Sequence, residues 1–329
     1  MGIKGYKAFG KELICNPDGI AKQYKEHTTF EEDGDVDLGP CRKGVMHFCE
    51  DPFDVLRAYP LVNSDGEITE FAEVEAVGDV RNYKDQSITN KLHIGAKLNL
   101  KGFVKACVDF TIEKTKFEID KDSDSDISSG DYAQIGSSGD YAKIGSSGDS
   151  AQIGSSGDYA KIGSSGDYAK IGSSGYSAKI GSSGDYAQIG SSGYSTQIGS
   201  SGDSAQIGSS GYSAKIGSSG DSAQIGSSGD YAKIGSSGDY AKIGSSGDYA
   251  KITSEGKNSV VMAAGFDSMA KAKIGSWITL AEWVRVNDDD KTIWKPKCVK
   301  TEYVDGEKIK EDTFYKLIDG EFKEVKTND

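Results

Sequence analysis

Gly130-Asp-Tyr-Ala-Gln-Ile-Gly-Ser-Ser138 is followed at once by Gly139-Asp-Tyr-Ala-Lys-Ile-Gly-Ser-Ser147. The phrase recurs fourteen times in all, with Ile at every ninth position from 135 to 252. A strict short period specifies a solenoid, because one unit cannot bury its own apolar face and must stack on its neighbours. Within a unit, Tyr132-Ala133-Gln134-Ile135 alternates as a strand does, which turns Ala and Ile inward. The Gly-Ser-Ser-Gly-Asp that follows is turn chemistry, and its glycines are expected to supply positive φ.

Variation between units sets the size of a coil. The residue before Ile reads Gln134, Gln152, Lys170, Gln188, Gln206, Gln224, Lys242 in alternate units. In the units between them it reads Lys143, Lys161, Lys179, Gln197, Lys215, Lys233, Lys251. The residue after the second Gly is Asp131, Asp149, Asp167, Asp185, Asp203, Asp221, Asp239 in the first set. In the second set Tyr176, Tyr194 and Tyr212 interrupt the Asp column. Both columns follow a period of eighteen, so two strands make a coil and the roll has two unlike faces. Seven coils at about 4.8 Å give a rod on the order of 34 Å long.

The expected fold is an α+β domain over 1–121, an acidic linker over 122–129, the β-solenoid over 130–273 and a small β cap over 274–329. In the first domain, Tyr6–Phe9, Gly44–Cys49 and Phe71–Gly78 read as strands. Pro52 opens a short amphipathic helix, and Val104–Ile119 is a strand or a helical arm leading into the roll. Val260, Met262, Phe266 and Met269 keep the repeat spacing with bulkier side chains, which suits a transition into the cap. At the end, Phe314–Ile318 and Glu321–Val325 flank an Asp319-Gly320 hairpin turn.

Net charge is −13, which excludes a general nucleic-acid binder driven by counterion release. An acidic surface fits a basic protein partner or mimicry of a nucleic acid. Five cysteines, none in C-x-x-C spacing, and three scattered histidines argue against structural zinc and for a reducing compartment. With no signal-like start and no apolar run of membrane length, the expectation is a cytoplasmic protein that engages no membrane.

Three tyrosines replacing Asp in adjacent coils are the sharpest candidate contact. Repeat drift would also produce them. Tyr176, Tyr194 and Tyr212, with Lys179 and Lys215 beside them, are the expected binding patch, since Tyr offers large area at small entropic cost. The Asp ladder is expected to be solvated corner chemistry. A calcium ladder is the alternative, because nonapeptide calcium-binding rolls share the period, though their Asp and apolar residues stand in a different register.

Two resemblances bear on function. Gly5-Tyr-Lys-Ala-Phe9, Gly44-x-x-His-Phe-Cys49-Glu-Asp-Pro52-x-Asp-Val55 and Val304-Asp-Gly-Glu-Lys-Ile-Lys-x-Asp-Thr-x-Tyr-Lys-Leu-x-x-Gly-Glu-Phe322 resemble an uncharacterised family of phage and prophage proteins with short repeats between two constant ends. That resemblance implies a phage source and no defined activity. The repeats themselves resemble the roll of trimeric adhesin heads. Separately, Gly44–Phe48 followed by Tyr59 resembles the second signature of ADP-ribosyltransferase folds. That likeness implies Tyr6, His47 and Tyr59 around a nicotinamide pocket, Glu75 or Glu73 as the acid, and NAD as cofactor. The first motif departs from that family, which ends it in Arg or His-Gly where this chain has Tyr6-Lys7.

The leading expectation is a non-enzymatic, phage-derived binding protein with no cofactor or metal. Its rigid acidic solenoid engages a host protein, with inhibition of a host defence system as the use. The alternatives are an ADP-ribosyltransferase-like first domain carried by a targeting arm, and a self-assembling rod.

Overall fold

The computed structural model describes residues 2–15, 21–38, 44–59, 69–83, 86–116, 125–288 and 291–325. Cys41, Ile119 and residues 122–124 of the expected linker lie outside them.

Two sheets face each other along the repeat region, of eleven and ten strands. Each rung pairs in parallel with the rung eighteen residues on, as Gln134↔Gln152 and Lys143↔Lys161 show. Two strands per coil is therefore the architecture, with roughly eight coils between residues 134 and 280. The stack starts earlier and ends later than the repeat. Ser125–Ser128, expected as linker, is the first rung of the eleven-stranded sheet, and Trp277–Leu280 still pair on Val260–Ala263.

Every strand of the form x-Ile-Gly-Ser turns Ile and the first Ser inward. Stacked Ile and Ala columns form one continuous core. The first-Ser column shares this interior, and hydroxyls such as those of Ser164 and Ser182 find no hydrogen-bond partner there. Stacked rungs stand about 4.8 Å apart, too far for one Ser to bond the next.

The expectation for the corner glycines fails. In the corners of the fourteen repeats positive φ falls on the residue after Asp, such as Tyr132 at 57°, Ser150 at 56° and Tyr168 at 56°. The corner glycines are needed for room instead. A Cβ on Gly184 would stand 2.0 Å from the Gly166 carbonyl oxygen of the coil below. Coils close on one another through bare backbone, which only glycine permits.

The N-terminal region holds β1 (Ile3–Phe9), β2 (Ile14–Cys15), β3 (Lys22–Gln23), β4 (Thr28–Glu31), β5 (Met46–Phe48), α1 (Pro52–Ala58), β6 (Glu70–Ala76), β7 (Val80–Asn82), β8 (Ser87–Thr89), β9 (Lys91–Leu98) and α2 (Leu100–Lys116). Its main sheet runs β1-β6-β9-β4. Asp51 caps α1 by accepting from the Phe53 N–H at 2.9 Å, with Pro52 at the start. The stretch left open between strand and arm is the helix α2.

α2 is packed on two sides. Leu100, Phe103 and Cys107 join the core of the N-terminal sheet, with Phe103 stacked on Phe71 at 3.7 Å. Val104, Val108 and Thr111 press on the eleven-stranded sheet, over Gly217, Gly199 and Gly181. The N-terminal domain is thus docked along the side of the solenoid. We call the eleven-stranded sheet docked and the ten-stranded sheet open.

The cap continues the Ile column with Ile278, Leu280, Val304, Ile309, Tyr315 and Leu317. Its strands Tyr315–Ile318 and Glu321–Glu324 meet at a turn with φ 54° at Asp319 and 74° at Gly320. The terminal strands carry Lys and Glu, and one carries Pro296. Such residues keep a sheet edge from pairing with another chain. Of the expected transition residues, Val260 and Met262 point outward and are exposed, while Val261 and Ala263 fill the core.

Candidate functional site

The corner that leads into the docked sheet carries an aromatic ladder. Tyr141, Tyr159, Tyr176, Tyr194, Tyr212, Tyr231 and Tyr249 follow one another, and Phe266 and Trp294 complete the column. Successive centroids lie 4.2 to 6.4 Å apart, and the three predicted tyrosines stack at 5.2 and 5.0 Å. The ring edges are open to solvent.

Two different sequences build this column. In Asp-Tyr units the Tyr takes a left-handed backbone, as at Tyr141 (φ 61°) and Tyr159 (φ 59°). In Tyr-Ser units the ring comes from one position earlier, and none of Tyr176, Tyr194, Tyr212 or the serines after them has positive φ. The tyrosines read as replacing Asp are therefore members of a longer ladder rather than an isolated patch. The missing signal was conformational: a left-handed residue swings its side chain back over the site that its predecessor occupies in an ordinary turn. Left-handed non-glycine residues cost on the order of 1–3 kcal/mol each, and ring stacking offsets part of that.

The Asp columns have a structural task. Each carboxylate accepts from a backbone N–H of the next coil: Asp149 N–H to Asp131 Oδ1 at 3.0 Å, Asp167 to Asp149 at 2.9 Å, Asp185 to Asp167 at 2.8 Å. The series continues through Asp203, Asp221 and Asp239. Tyr176 has no carboxylate to offer, and there the pattern changes: Ser195 N–H donates to the Tyr176 carbonyl at 2.9 Å instead. Among the described residues, no three metal-capable side chains converge.

Lys179 and Lys215 lie elsewhere than predicted. Lys179 is buried in the dock, its ammonium 3.0 Å from Asp51 Oδ2 and 2.8 Å from Asp54 Oδ1. Lys161 reaches the same Asp51 oxygen at 3.0 Å. Lys215 donates to the Leu56 carbonyl. Both predicted contact lysines therefore bind the chain's own N-terminal domain and leave the tyrosine patch without them. Burial alone would raise the Asp51 pKa, and Lys179 and Lys161 overcome it, holding the carboxyl below its ordinary value. Burial, helped by Lys233 and Arg57, pushes Lys215 down to about 8. Between Lys179 and Lys215 the column holds Gln197, buried and neutral, with its Oε1 unpartnered.

The resemblance to ADP-ribosyltransferases concerns a different place. His47 Nε2 lies 3.1 Å from the Tyr59 hydroxyl, and the rings run parallel at 6.1 Å. Lys7 Nζ donates to the His47 carbonyl at 2.9 Å. These groups and Tyr6 border a cavity of about 230 Å3, below the ~300–1,000 Å3 of small-molecule sites. The Lys7 charge, then burial, pushes His47 down to about 3, so the imidazole is neutral. Burial lowers Lys7 and raises Cys15, and it pushes Cys49 up to about 12, so neither thiol is a thiolate at neutral pH. Glu75 does not belong to this cavity. It faces a separate cleft with Glu73, Glu50, Lys4 and His93. Tyr6 borders both, because β1 pairs Tyr6 with Glu73 along one edge and bridges Tyr6 to Cys49, just after the His47 strand, along the other. The predicted acid and the predicted His-Tyr pair are thus on opposite sides of a strand.

Residues 3–106 match a family described as a domain of unknown function (DUF7666). The match covers the N-terminal sheet and the first turns of α2, and it stops short of the solenoid. No curated protein matches the chain, and no solved structure does. No helix among the described residues is long and apolar enough to cross a membrane.

Proposed function

We propose that the chain is a non-enzymatic binding protein whose solenoid is a rigid interaction surface. The observation that carries this reading is the aromatic ladder. Seven tyrosines, one phenylalanine and one tryptophan form an uninterrupted column along one corner. Tyrosine edges held in a stacked column have lost their side-chain entropy before any partner arrives, so a partner need not order them. The expected partner is a protein of the host cell, and the phage-family resemblance of both ends makes interference with a host defence the use that fits best. The separation of Glu75 from His47 and Tyr59 weighs against the transferase reading.

The test is retention of host-lysate proteins by the intact chain beside Y176D/Y194D/Y212D. The variant replaces Tyr-Ser by Asp-Ser, a unit already present at 149–150, 203–204 and 221–222, so its fold is provided for. A host protein held by the intact chain and lost by the variant supports the reading. Equal retention by both refutes the ladder as the contact.

A further inference from the structure

We infer that the glycine trough of the open sheet is a docking site for an amphipathic α-helix of a partner protein, lying along the rod. This inference extends the binding-protein reading to a second surface and names the element that it receives.

The two sheets carry the same strand, x-Ile-Gly-Ser, with Gly facing out. On the docked sheet that glycine column is filled by a helix. Val104 meets Gly217 and Gly199, Val108 meets Gly199 and Gly181, and Thr111 meets Gly181. These residues recur at i, i+4 and i+7, one per helical turn, with a rise of about 5.4 Å. Coils recur at about 4.8 Å. The mismatch of roughly 0.6 Å per coil is small enough that α2 stays in phase across the strands beginning at Lys143, Lys161, Lys179, Gln197 and Lys215. Glycine matters here because it lets the helix approach the sheet backbone.

On the open sheet the same column is bare. A Cβ built at Gly136, Gly154, Gly190, Gly208 or Gly226 meets nothing within 4 Å. The trough runs beside the Gln and Lys column and ends at Val260 and Met262. Trp277 and Tyr303 follow Val260 in register, so the end is an apolar patch, with Val260 48 %, Met262 43 %, Trp277 47 % and Tyr303 42 % exposed. Contiguous exposed apolar groups of this kind mark interaction sites.

Charge specifies the helix further. From Gln134 to Lys242 the outward-facing column beside the glycines holds amides and the two lysines Lys170 and Lys242, while the carboxylates of these coils, Asp131 to Asp239, stand at the corner before it, each accepting a backbone N–H of the next coil. On the docked sheet two lysines of the matching column, Lys161 and Lys179, are met by Asp51 and Asp54. The occupant therefore carries small or β-branched residues at i, i+4 and i+7 on its inner face, and carboxylates on the flank toward Lys170 and Lys242. A large apolar residue covers the Val260–Trp277 end.

The test uses the full chain and a helix-stabilised peptide with the sequence of residues 100–116, in two forms: unchanged, and with its lysines replaced by glutamate. Binding is read by fluorescence anisotropy against the intact chain and against G154L/G190L/G226L. The new side chains have free space, so thermal unfolding of the variant should match the parent. The expected result is binding to the intact chain, weakened at least tenfold by the leucines. The glutamate form should bind more tightly by roughly threefold, as two exposed ion pairs would give. Y176D/Y194D/Y212D should leave peptide binding unchanged, which separates this site from the tyrosine ladder. Equal binding to parent and leucine variant, or none up to millimolar peptide, overturns the inference. A parent that dimerises in sedimentation while the leucine variant stays monomeric also overturns it, because the face would then be covered by a second copy.

Discussion

The docked and open sheets are built from one repeated strand, yet one is interior and the other is surface. The docked sheet buries Gly181, Gly199 and Gly217 under α2 and holds Lys179 between two carboxylates. The open sheet leaves Gly190 and Gly208 bare and Lys170 exposed. The difference lies in what the N-terminal domain supplies, which is one helix face with the right pitch and Asp51 and Asp54 on a neighbouring helix. Repetition makes equivalent surfaces, and a single docking event makes them unequal.

The largest expected effect is at Asp51. D51A removes the α1 cap and one of the two carboxylates that hold buried Lys179, leaving Asp54 at 2.8 Å as its counter-charge, and should cost about 3 kcal/mol. K170A on the open sheet should stay within about 0.5 kcal/mol. Thermal unfolding of both variants tests the contrast, and equal losses would break it. The same site fixes an acid dependence. Because the folded Asp51 pKa lies below its ordinary value, the stability it contributes is complete above the ordinary carboxylate range. It is lost as pH falls through the folded value. Lys215 has the opposite sign. With its pKa pushed down to about 8, the unfolded chain binds the extra proton, so stability should rise with pH from about 8 to about 10.4. In K215M that alkaline rise should diminish.

Next comes bulk on the glycine columns. A Cβ at Gly217 would stand 2.9 Å from Val104, so G217L should cost about 1–3 kcal/mol and expose the N-terminal domain to proteolysis. G208L should do neither. A smaller effect is expected at the ladder. Y194A removes a ring stacked on two neighbours at 5.2 and 5.0 Å, worth about 0.5–1.5 kcal/mol per pair beyond burial. Least of all, S182A deletes an inward hydroxyl that finds no partner, and should be neutral or stabilising by up to about 1 kcal/mol. Denaturant unfolding resolves these two, and a destabilised S182A would mean that the Ser column is satisfied in solution.

Much of the roll was legible because its period acts locally. Ile and Ala columns, two strands per coil and unlike faces follow from spacing alone. The dock was not legible, although its trace was present: the Lys-rich column is the face that meets Asp51 and Asp54. Nothing in Lys179 or Lys215 says that their partners lie more than a hundred residues upstream. Such pairing depends on where α2 places the whole domain. The ladder was half legible, since Tyr176, Tyr194 and Tyr212 stood out. Tyr141, Tyr159, Tyr231 and Tyr249 did not, because equivalence between neighbouring sequence positions arises from backbone handedness, which spacing does not encode. The glycines were recognised as corner residues for the wrong reason, since close approach of coils rather than positive φ demands them.

The eighteen-residue coil also fixes how the gene can change length. Adding or losing a pair of repeats moves the cap along the axis and leaves its orientation to the N-terminal domain untouched. A single repeat gained or lost would carry the cap round to the opposite side. Slippage in this repetitive stretch is therefore tolerated in even steps, and the rod becomes a spacer that selection can adjust in whole coils.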